Sequence, residues 1–393
     1  MGSEILLKFL VTIVILFVLP KIIRRYIRLP APLAEVFLGI VLGLAFTNFF
    51  FIDDMISILS TIGIITLFVH SGIEADLDFV LQKKRFFIEN IIVHLLLIAA
   101  VSWGIKAFLH LPLATGFIIA LALTTPSASY IISSVKGQDE KKQKWIEGKA
   151  LAGEILALIL LIFALHIDSL WMLLMTAAVL GVLLFVLPHL LKKLYYGFFN
   201  RMQGIEFSFI FVVAMISAFI TDFLGVHFLV GAFIAGLVSR RFVKELVHNP
   251  DHKHINRNKG RQILEGFNFF ATVFIPFYFF KVGLQINAEV LSLQNIIIGI
   301  SLSIVISAVR LLLMTWHRKI RARESLGTAS RVSSFILPTL VFTFVIAEIL
   351  QKSYGISESL FGTLLIYGVM TALLSMGAVW FIENKKLSSN KNI

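Results

Sequence analysis

One carboxylate, Glu154, stands inside an otherwise apolar run, Ala150-Leu-Ala-Gly-Glu-Ile-Leu-Ala-Leu158. Upstream, a second apolar run is broken by Thr124-Thr125-Pro126-Ser127. A charged acid at membrane depth costs several kcal/mol and usually marks an ion path. Such an acid can hold a proton or a metal cation, and the two compete for it. Na⁺ and K⁺ are hard ions that take oxygen ligands. Glu154, the hydroxyls of Thr125 and Ser127, and carbonyls freed by Pro126 form a candidate oxygen set. The plainer reading of Glu154 is an acid paired with an internal cation.

Arg310 lies inside another apolar run, Ile306-Ser-Ala-Val-Arg-Leu-Leu-Leu313. A guanidinium is always charged, so Arg310 cannot carry the proton. It is expected to act as a fixed counter-charge, bonding carbonyls of unwound helix or Glu154. Structural support alone is an equally open reading. His70 could join the ion path or sense pH, since free imidazole titrates near about 6.5. A histidine bonded inside the bundle is the plainer alternative. Lys149 is expected to snorkel toward the cytoplasmic surface. Glu35, Glu74, Glu206, Lys281 and Glu348 are read as structural or mouth charges. His252 and His254 lie two residues apart in a polar loop, a weak metal signature. Walker loops, dinucleotide turns and catalytic triads are absent from the sequence, and no enzymatic activity or cofactor is expected.

The elements that hold these residues follow from composition. The 393 residues are 58% hydrophobic and 15% charged, whereas a soluble domain has roughly a quarter charged. Apolar runs long enough to cross about 30 Å of hydrocarbon recur throughout. This implies an all-α polytopic membrane protein; a membrane barrel would show short alternating segments. Thirteen spans are predicted: 4–22, 31–49, 55–73, 86–108, 112–135, 147–166, 169–190, 205–222, 226–239, 263–283, 293–316, 327–350 and 358–382. The first lacks a preceding basic region and is read as retained rather than as a signal peptide.

Loop charge alternates strongly. Clusters such as Lys83-Lys84-Arg85, Lys141-Lys142 and Arg240-Arg241 fall on one side, against only Lys106 and Lys352 on the other. By the positive-inside rule the N-terminus is outside and the C-terminus cytoplasmic. The net charge of +12 is thereby assigned to the membrane surface, and no nucleic-acid partner is inferred. The absence of cysteine excludes disulfides and thiolate metal sites. The tail, Lys385 to Ile393, is polar and expected to lack structure, with no fused regulatory domain.

Halves of about 1–166 and 205–382, joined by span 169–190, run antiparallel as inverted repeats. The fifth span (Pro126) then corresponds to the twelfth (Pro338). Hydroxyls flank both prolines: Thr124, Thr125, Ser127 and Ser129 in one, Ser333, Ser334 and Thr339 in the other. Paired interrupted helices in corresponding places point to a transporter's midplane site. For either proline alone, a simple kink suffices.

Four stretches in order carry a resemblance: Leu29-Pro-Ala-Pro-Leu-Ala-Glu-Val-Phe-Leu-Gly-Ile-Val-Leu-Gly43, Leu67-Phe68 through Gly72-Ile73-Glu74, Asp222-Phe-Leu-Gly-Val-His-Phe-Leu-Val-Gly-Ala-Phe-Ile-Ala-Gly236 and Phe279-Phe-Lys-Val-Gly-Leu-Gln-Ile286. Over essentially its whole length the chain resembles the cation:proton antiporter superfamily, in its second branch of bacterial Na⁺/H⁺ and K⁺/H⁺ exchangers. The resemblance implies thirteen helices, two crossed discontinuous helices, a core domain including helices 5, 6 and 12, and a dimerisation domain with elevator-like motion. It implies an acid on the sixth span, usually Asp preceded by Asp, Asn or Gln. Here the pair is Gly153-Glu154, a departure, with Ala150 where related exchangers often carry a hydroxyl. His70 stands where some relatives carry a carboxylate, and Arg310 matches the basic residue of the eleventh span.

The expected function is a secondary-active Na⁺ or K⁺/proton antiporter with Glu154 and Arg310 in the exchange and Glu154, Thr125, Ser127 and His70 toward the cation. It is expected to be a homodimer in the bilayer of a bacterial inner membrane. One titrating acid and one permanent cation imply one proton per monovalent cation, hence electroneutral exchange. The alternatives are a gated cation channel and a transport-inactive sensor on the same fold.

Overall fold

A computed structural model describes residues 2–27, 29–75, 82–109, 111–135, 138–166, 169–195, 197, 206–248 and 257–390. The described chain is helical and contains no strand. In order the helices are α1 Gly2–Ile27, α2 Ala31–Ala45, α3 Asp54–Glu74, α4 Lys84–Leu109, α5 Leu113–Thr124, α6 Ala128–Ser134, α7 Glu140–His166 and α8 Leu170–Gly181. A π-helical turn, Val182–Val186, leads into α9 Leu187–Leu194. Then come α10 Glu206–Phe223, α11 Phe228–His248, α12 Arg257–Gln285, α13 Leu293–Ala322, α14 Leu326–Ser334, α15 Leu340–Tyr354 and α16 Glu358–Asn390.

Each predicted span holds helix, and the fifth and twelfth are the broken ones, α5/α6 and α14/α15. Among the described residues nine helices are long and apolar enough to cross a membrane, and Ala31–Ala45 and Phe207–Phe223 are shorter apolar helices. Large apolar side chains such as Trp103, Phe108, Phe185, Phe219 and Leu312 point outward, as a lipid-facing surface requires. The protein is a multi-pass helical membrane protein. Several helices run past the predicted spans, among them α11, which continues to His248, and α13, which continues to Ala322. α7 begins at Glu140 rather than 147, and α16 runs to Asn390 through the polar tail. Neither of these last two extensions contains a proline, and α16 meets no glycine after Gly377, so nothing in the sequence stops the helix. Residues 249–256, which include His252 and His254, lie outside the described residues.

The chain divides into two compact units. The first is Met1–Asp76 with Leu165–Leu284; the second is Leu77–Ala164 with Gln285–Ile393. In the first unit, helices meet backbone to backbone. A methyl on Gly72 would overlap the Phe233 carbonyl, and one on Gly236 would overlap that of Val69, so α3 and α11 cross at this glycine pair. Gly39 and Gly283 make the same kind of crossing between α2 and α12. Small residues at the crossing let apolar helices pack by close contact where burial against lipid offers no drive.

The start of α3 is pinned by Asp53. Its carboxylate accepts from the Ile56 N–H at 2.9 Å and from Lys8 Nζ at 2.6 Å. Burial pushes the Asp53 carboxyl up, but the Ile56 and Lys8 hydrogen bonds outweigh it and hold the group below its ordinary 3.8. A lowered folded value stabilises the fold above the unfolded value, and that share is lost as pH falls through the folded one. Asp53→Ala is expected to cost about 1–2 kcal/mol at neutral pH, from a lost helix cap and a partly exposed ion pair. The deficit relative to wild type should shrink as the medium is acidified below the carboxylate range. Thermal unfolding in detergent at neutral and acidic pH checks this; a deficit independent of pH would contradict it.

Candidate cation site

All the residues of this site except His70 belong to the second unit. The site begins at the two helix breaks. Proline disfavours helical backbone in the residue before it and offers no N–H of its own. Thr125 accordingly turns extended at φ −74° and ψ 120°, ending α5, and Ser127 stays extended before α6 begins. The second break spans residues 335–339 around Pro338: α14 ends at Ser334, and Thr339, at φ −110° and ψ −3°, caps the start of α15.

A broken helix leaves carbonyls without amide partners, and unpaired buried backbone is costly. Here side chains take them. Ala122 O, which would have met an N–H at 126, accepts from Thr343 Oγ1 at 2.8 Å. Leu123 O accepts from the Tyr367 hydroxyl at 2.5 Å. Across the second break, Arg310 Nη1 donates to Leu337 O at 2.7 Å and Nη2 to Ile336 O at 2.9 Å. The two breaks are also joined directly, Ser127 N–H donating to Pro338 O at 2.9 Å. Thr343 on α15 and the Ser127 N–H to Pro338 O bond thus tie the two broken helices together, with Tyr367 holding the first break and Arg310 the second.

The carbonyls freed by Pro126 that the sequence reading offered to a cation are therefore occupied at Ala122 and Leu123. The hydroxyls are not. Thr125 and Ser127 are fully buried, and Thr125 Oγ1, Ser127 Oγ and, at the other break, Ser333 Oγ have no hydrogen-bond partner among the described residues.

Glu154 sits on α7, 1% exposed. The small residues before it bring α7 onto the first break: a Cβ built at Gly153 would lie 2.8 Å from both Cγ and Cδ of Pro126. The same Cβ would lie 3.2 Å from Cε1 of His94 on α4. Gly153 thus seats the acid's helix on the proline of the broken helix, and the room a longer side chain would use at 153 is filled by Pro126 and His94. Gly153→Ala is expected to destabilise by about 1–3 kcal/mol, the cost of overpacking a close contact. A wild-type melting temperature for that variant in detergent would contradict the contact.

The structure distributes the remaining residues as follows. Arg310 is 1% exposed and held at the second break. His70 belongs to the first unit, where Nε2 lies 2.8 Å from Asn268 Oδ1 and Nδ1 lies 3.5 Å from Glu74. Lys149 differs from its sequence reading. It is 1% exposed, with Nζ 3.0 Å from His317 Nδ1 and 4.9 Å above the Trp145 ring. The reason is the longer α7: its start at Glu140 places Lys149 well inside the helix rather than at its mouth. Glu35 likewise is no mouth charge, being 5% exposed with one carboxylate oxygen unpartnered among the described residues. Glu348 accepts from Gln285 at 3.0 Å. The side chain of Glu206 lies outside the described residues.

His94 and Asn90 escaped the sequence reading. They lie one turn apart on α4, each 2% exposed. His94 Nε2 and both amide atoms of Asn90 have no partner among the described residues. The available signal was a polar pair at helical spacing, i and i+4, within an apolar span.

Comparison with known proteins follows the same outline. Residues 11–382 match the family model described as "Sodium/hydrogen exchanger, transmembrane". The "Probable Na(+)/H(+) antiporter 3" of Methanocaldococcus jannaschii is 23% identical over 377 residues, 93% of this chain and 94% of the relative. The "Na(+)/H(+) antiporter" of Enterococcus hirae is 24% identical over 370 residues, 90% of this chain and 91% of the relative. The "K(+)/H(+) antiporter 1" of Saccharomyces cerevisiae is 24% identical over 307 residues, 67% of this chain but only 33% of the relative. Among solved structures, the sodium proton antiporter MjNhaP1 from M. jannaschii at pH 8 superposes with a TM-score of 0.69 at 15% identity, covering 97% of this chain and 98% of that one. That likeness speaks for the fold. With broken helices, the buried acid's helix seated on one of them, and a family match spanning nearly the whole length, the chain belongs to the sodium/hydrogen exchanger family.

Proposed function

We propose that the chain is a secondary-active antiporter exchanging Na⁺ or K⁺ for protons, with cation and proton competing for Glu154. The observation that carries this reading is the juxtaposition at the first break. Glu154's helix rests through Gly153 on Pro126, whose neighbours Thr125 and Ser127 offer buried hydroxyls without hydrogen-bond partners among the described residues. An acid with hydroxyl oxygens is a fitting donor set for a hard monovalent cation. The Na⁺/H⁺ and K⁺/H⁺ antiporters among the relatives support the exchange class and leave both cations as substrates.

The reaction then needs only one site open to either side of the membrane in turn. A cation arriving at protonated Glu154 takes its place among the oxygens as the proton leaves; a proton arriving from the other side reverses this. Arg310 stays charged throughout. Its two carbonyl bonds fit a fixed cation that holds the second break. One proton for one cation leaves the site's charge unchanged, which makes the exchange electroneutral. We further place the protein in a bacterial inner membrane as a homodimer with its C-terminus cytoplasmic. In this reading the second compact unit is the core that carries the site and the first is the dimerisation domain.

The test is proton flux in proteoliposomes with a trapped pH-sensitive dye, pulsing Na⁺, K⁺ and Li⁺ separately. Proton release by one cation, unaltered when the membrane potential is clamped, is the expected result. Continuous cation conduction without proton movement would favour a channel. Cation binding without flux in either orientation would favour a sensor.

A further inference from the structure

His94 is a buried polar side chain that the exchange just described does not use. Its imidazole lies against Gly153, the residue before Glu154, and beside Pro126 of the first break. The Thr124 backbone carbonyl is within hydrogen-bonding range of the ring. Nε2 is buried and unpartnered among the described residues, which leaves Nδ1 as the nitrogen that donates to Thr124. In that tautomer Nε2 carries a lone pair and acts as an acceptor. One turn earlier, Asn90 adds an amide oxygen that is also buried and unpartnered.

Buried polar atoms are almost always satisfied, and those that are not call for an explanation such as water or an ion. An imidazole nitrogen is a poor direct ligand for a hard alkali cation, which prefers oxygen. It is a good acceptor for a water bound to that cation. Such a water turns its oxygen to the cation and its hydrogens outward, so it needs acceptors around it. Nε2 of His94 is such an acceptor, on a ring whose Cε1 packs against Gly153, the residue before Glu154.

We infer that His94 is a positioning and specificity residue of the cation site, its Nε2 accepting a hydrogen bond from a water that stays on a partly hydrated monovalent cation beside Glu154. The inference rests on the antiport reading above. It adds that Thr125, Ser127 and Glu154 do not complete the coordination, and that one water does so under the control of α4.

Two substitutions separate this role from simple packing. Asparagine at 94 keeps a donor near the place of Nδ1, for Thr124, and removes the acceptor at Nε2. Glutamine keeps an acceptor near the place of Nε2. In proteoliposomes, His94→Asn is expected to raise the apparent KM for the exchanged cation about tenfold, the size of one hydrogen bond to a charged assembly, with Vmax within about twofold. His94→Gln is expected to stay within about threefold of the wild-type KM, since the acceptor is retained. A wild-type KM for His94→Asn overturns the inference, as does an equal loss in both variants. If His94→Asn is not recovered folded, His94→Gln decides alone: a near-wild-type KM supports the inference, and a tenfold rise overturns it. The parent reading fails differently, through a wild type that moves no protons for any cation; a wild type that exchanges while Glu154→Gln does not, together with an unaffected His94→Asn, sinks this inference only.

Discussion

Glu154→Gln is expected to abolish cation-driven proton release from proteoliposomes while leaving the protein folded. Glutamine has nearly the shape of a protonated glutamate, so the packing of α7 against the first break through Gly153 is preserved. What is removed is the charge that draws the cation and the group that carries the proton. Glutamine also keeps the length and hydrogen-bonding capacity of the acid, so the variant should melt near the wild-type temperature. The two readouts therefore separate: flux falls by more than about a hundredfold, the effect of removing about 3 kcal/mol of charge interaction, while stability holds. Residual exchange within tenfold of wild type would place the exchanged proton elsewhere.

Arg310→Ala is the second large effect, and it acts on the fold first. The guanidinium fork supplies one N–H to Leu337 O and another to Ile336 O inside a buried break. Removing it strands two carbonyls, each at about 1–3 kcal/mol, and leaves a cavity the size of the side chain. A fall in melting temperature of about 4–24 °C is expected, taking about 2–6 kcal/mol for the two carbonyls and about 2–4 °C per kcal/mol. Arg310→Lys restores the charge but not the planar fork. It can reach one carbonyl, so it should recover part of the stability. If exchange requires only a fixed positive charge, Arg310→Lys transports while it melts early; if it requires the geometry of the second break, Arg310→Lys is stable enough to purify and slow to transport. An Arg310→Ala protein with wild-type melting would contradict the part assigned to the two carbonyl bonds.

The spans, the two breaks and the buried acid were legible in the sequence for local reasons. Hydrocarbon thickness fixes the length of an apolar run. Proline interrupts a helix wherever it falls inside one. A carboxylate in a span is conspicuous because it is costly. Pro126, Pro338, Glu154 and Arg310 are all signals of this kind, and helix breaks are found at both prolines.

The rest depended on which helices touch. That Ala122 and Leu123 lend their carbonyls to Thr343 and Tyr367 is set by residues more than two hundred positions away. It engages two of the carbonyls that Pro126 frees, and local sequence carries no record of it. Nothing local but its spacing from Asn90 marks His94; its place follows from the packing of α4 against Gly153. A lysine near the predicted start of a span is expected to snorkel to the surface, and only the longer α7, with His317 and Trp145 around Lys149, shows it buried. His70 belongs to the first compact unit, and its neighbours there, Asn268 and Glu74, are also set by tertiary packing. By itself the sequence determined where the chain crosses, where it breaks and that Glu154 and Arg310 lie inside spans, because each follows from the cost of a group in hydrocarbon. Which atoms are left to meet a cation was decided by tertiary structure, because it depends on which buried donors and acceptors satisfy one another first.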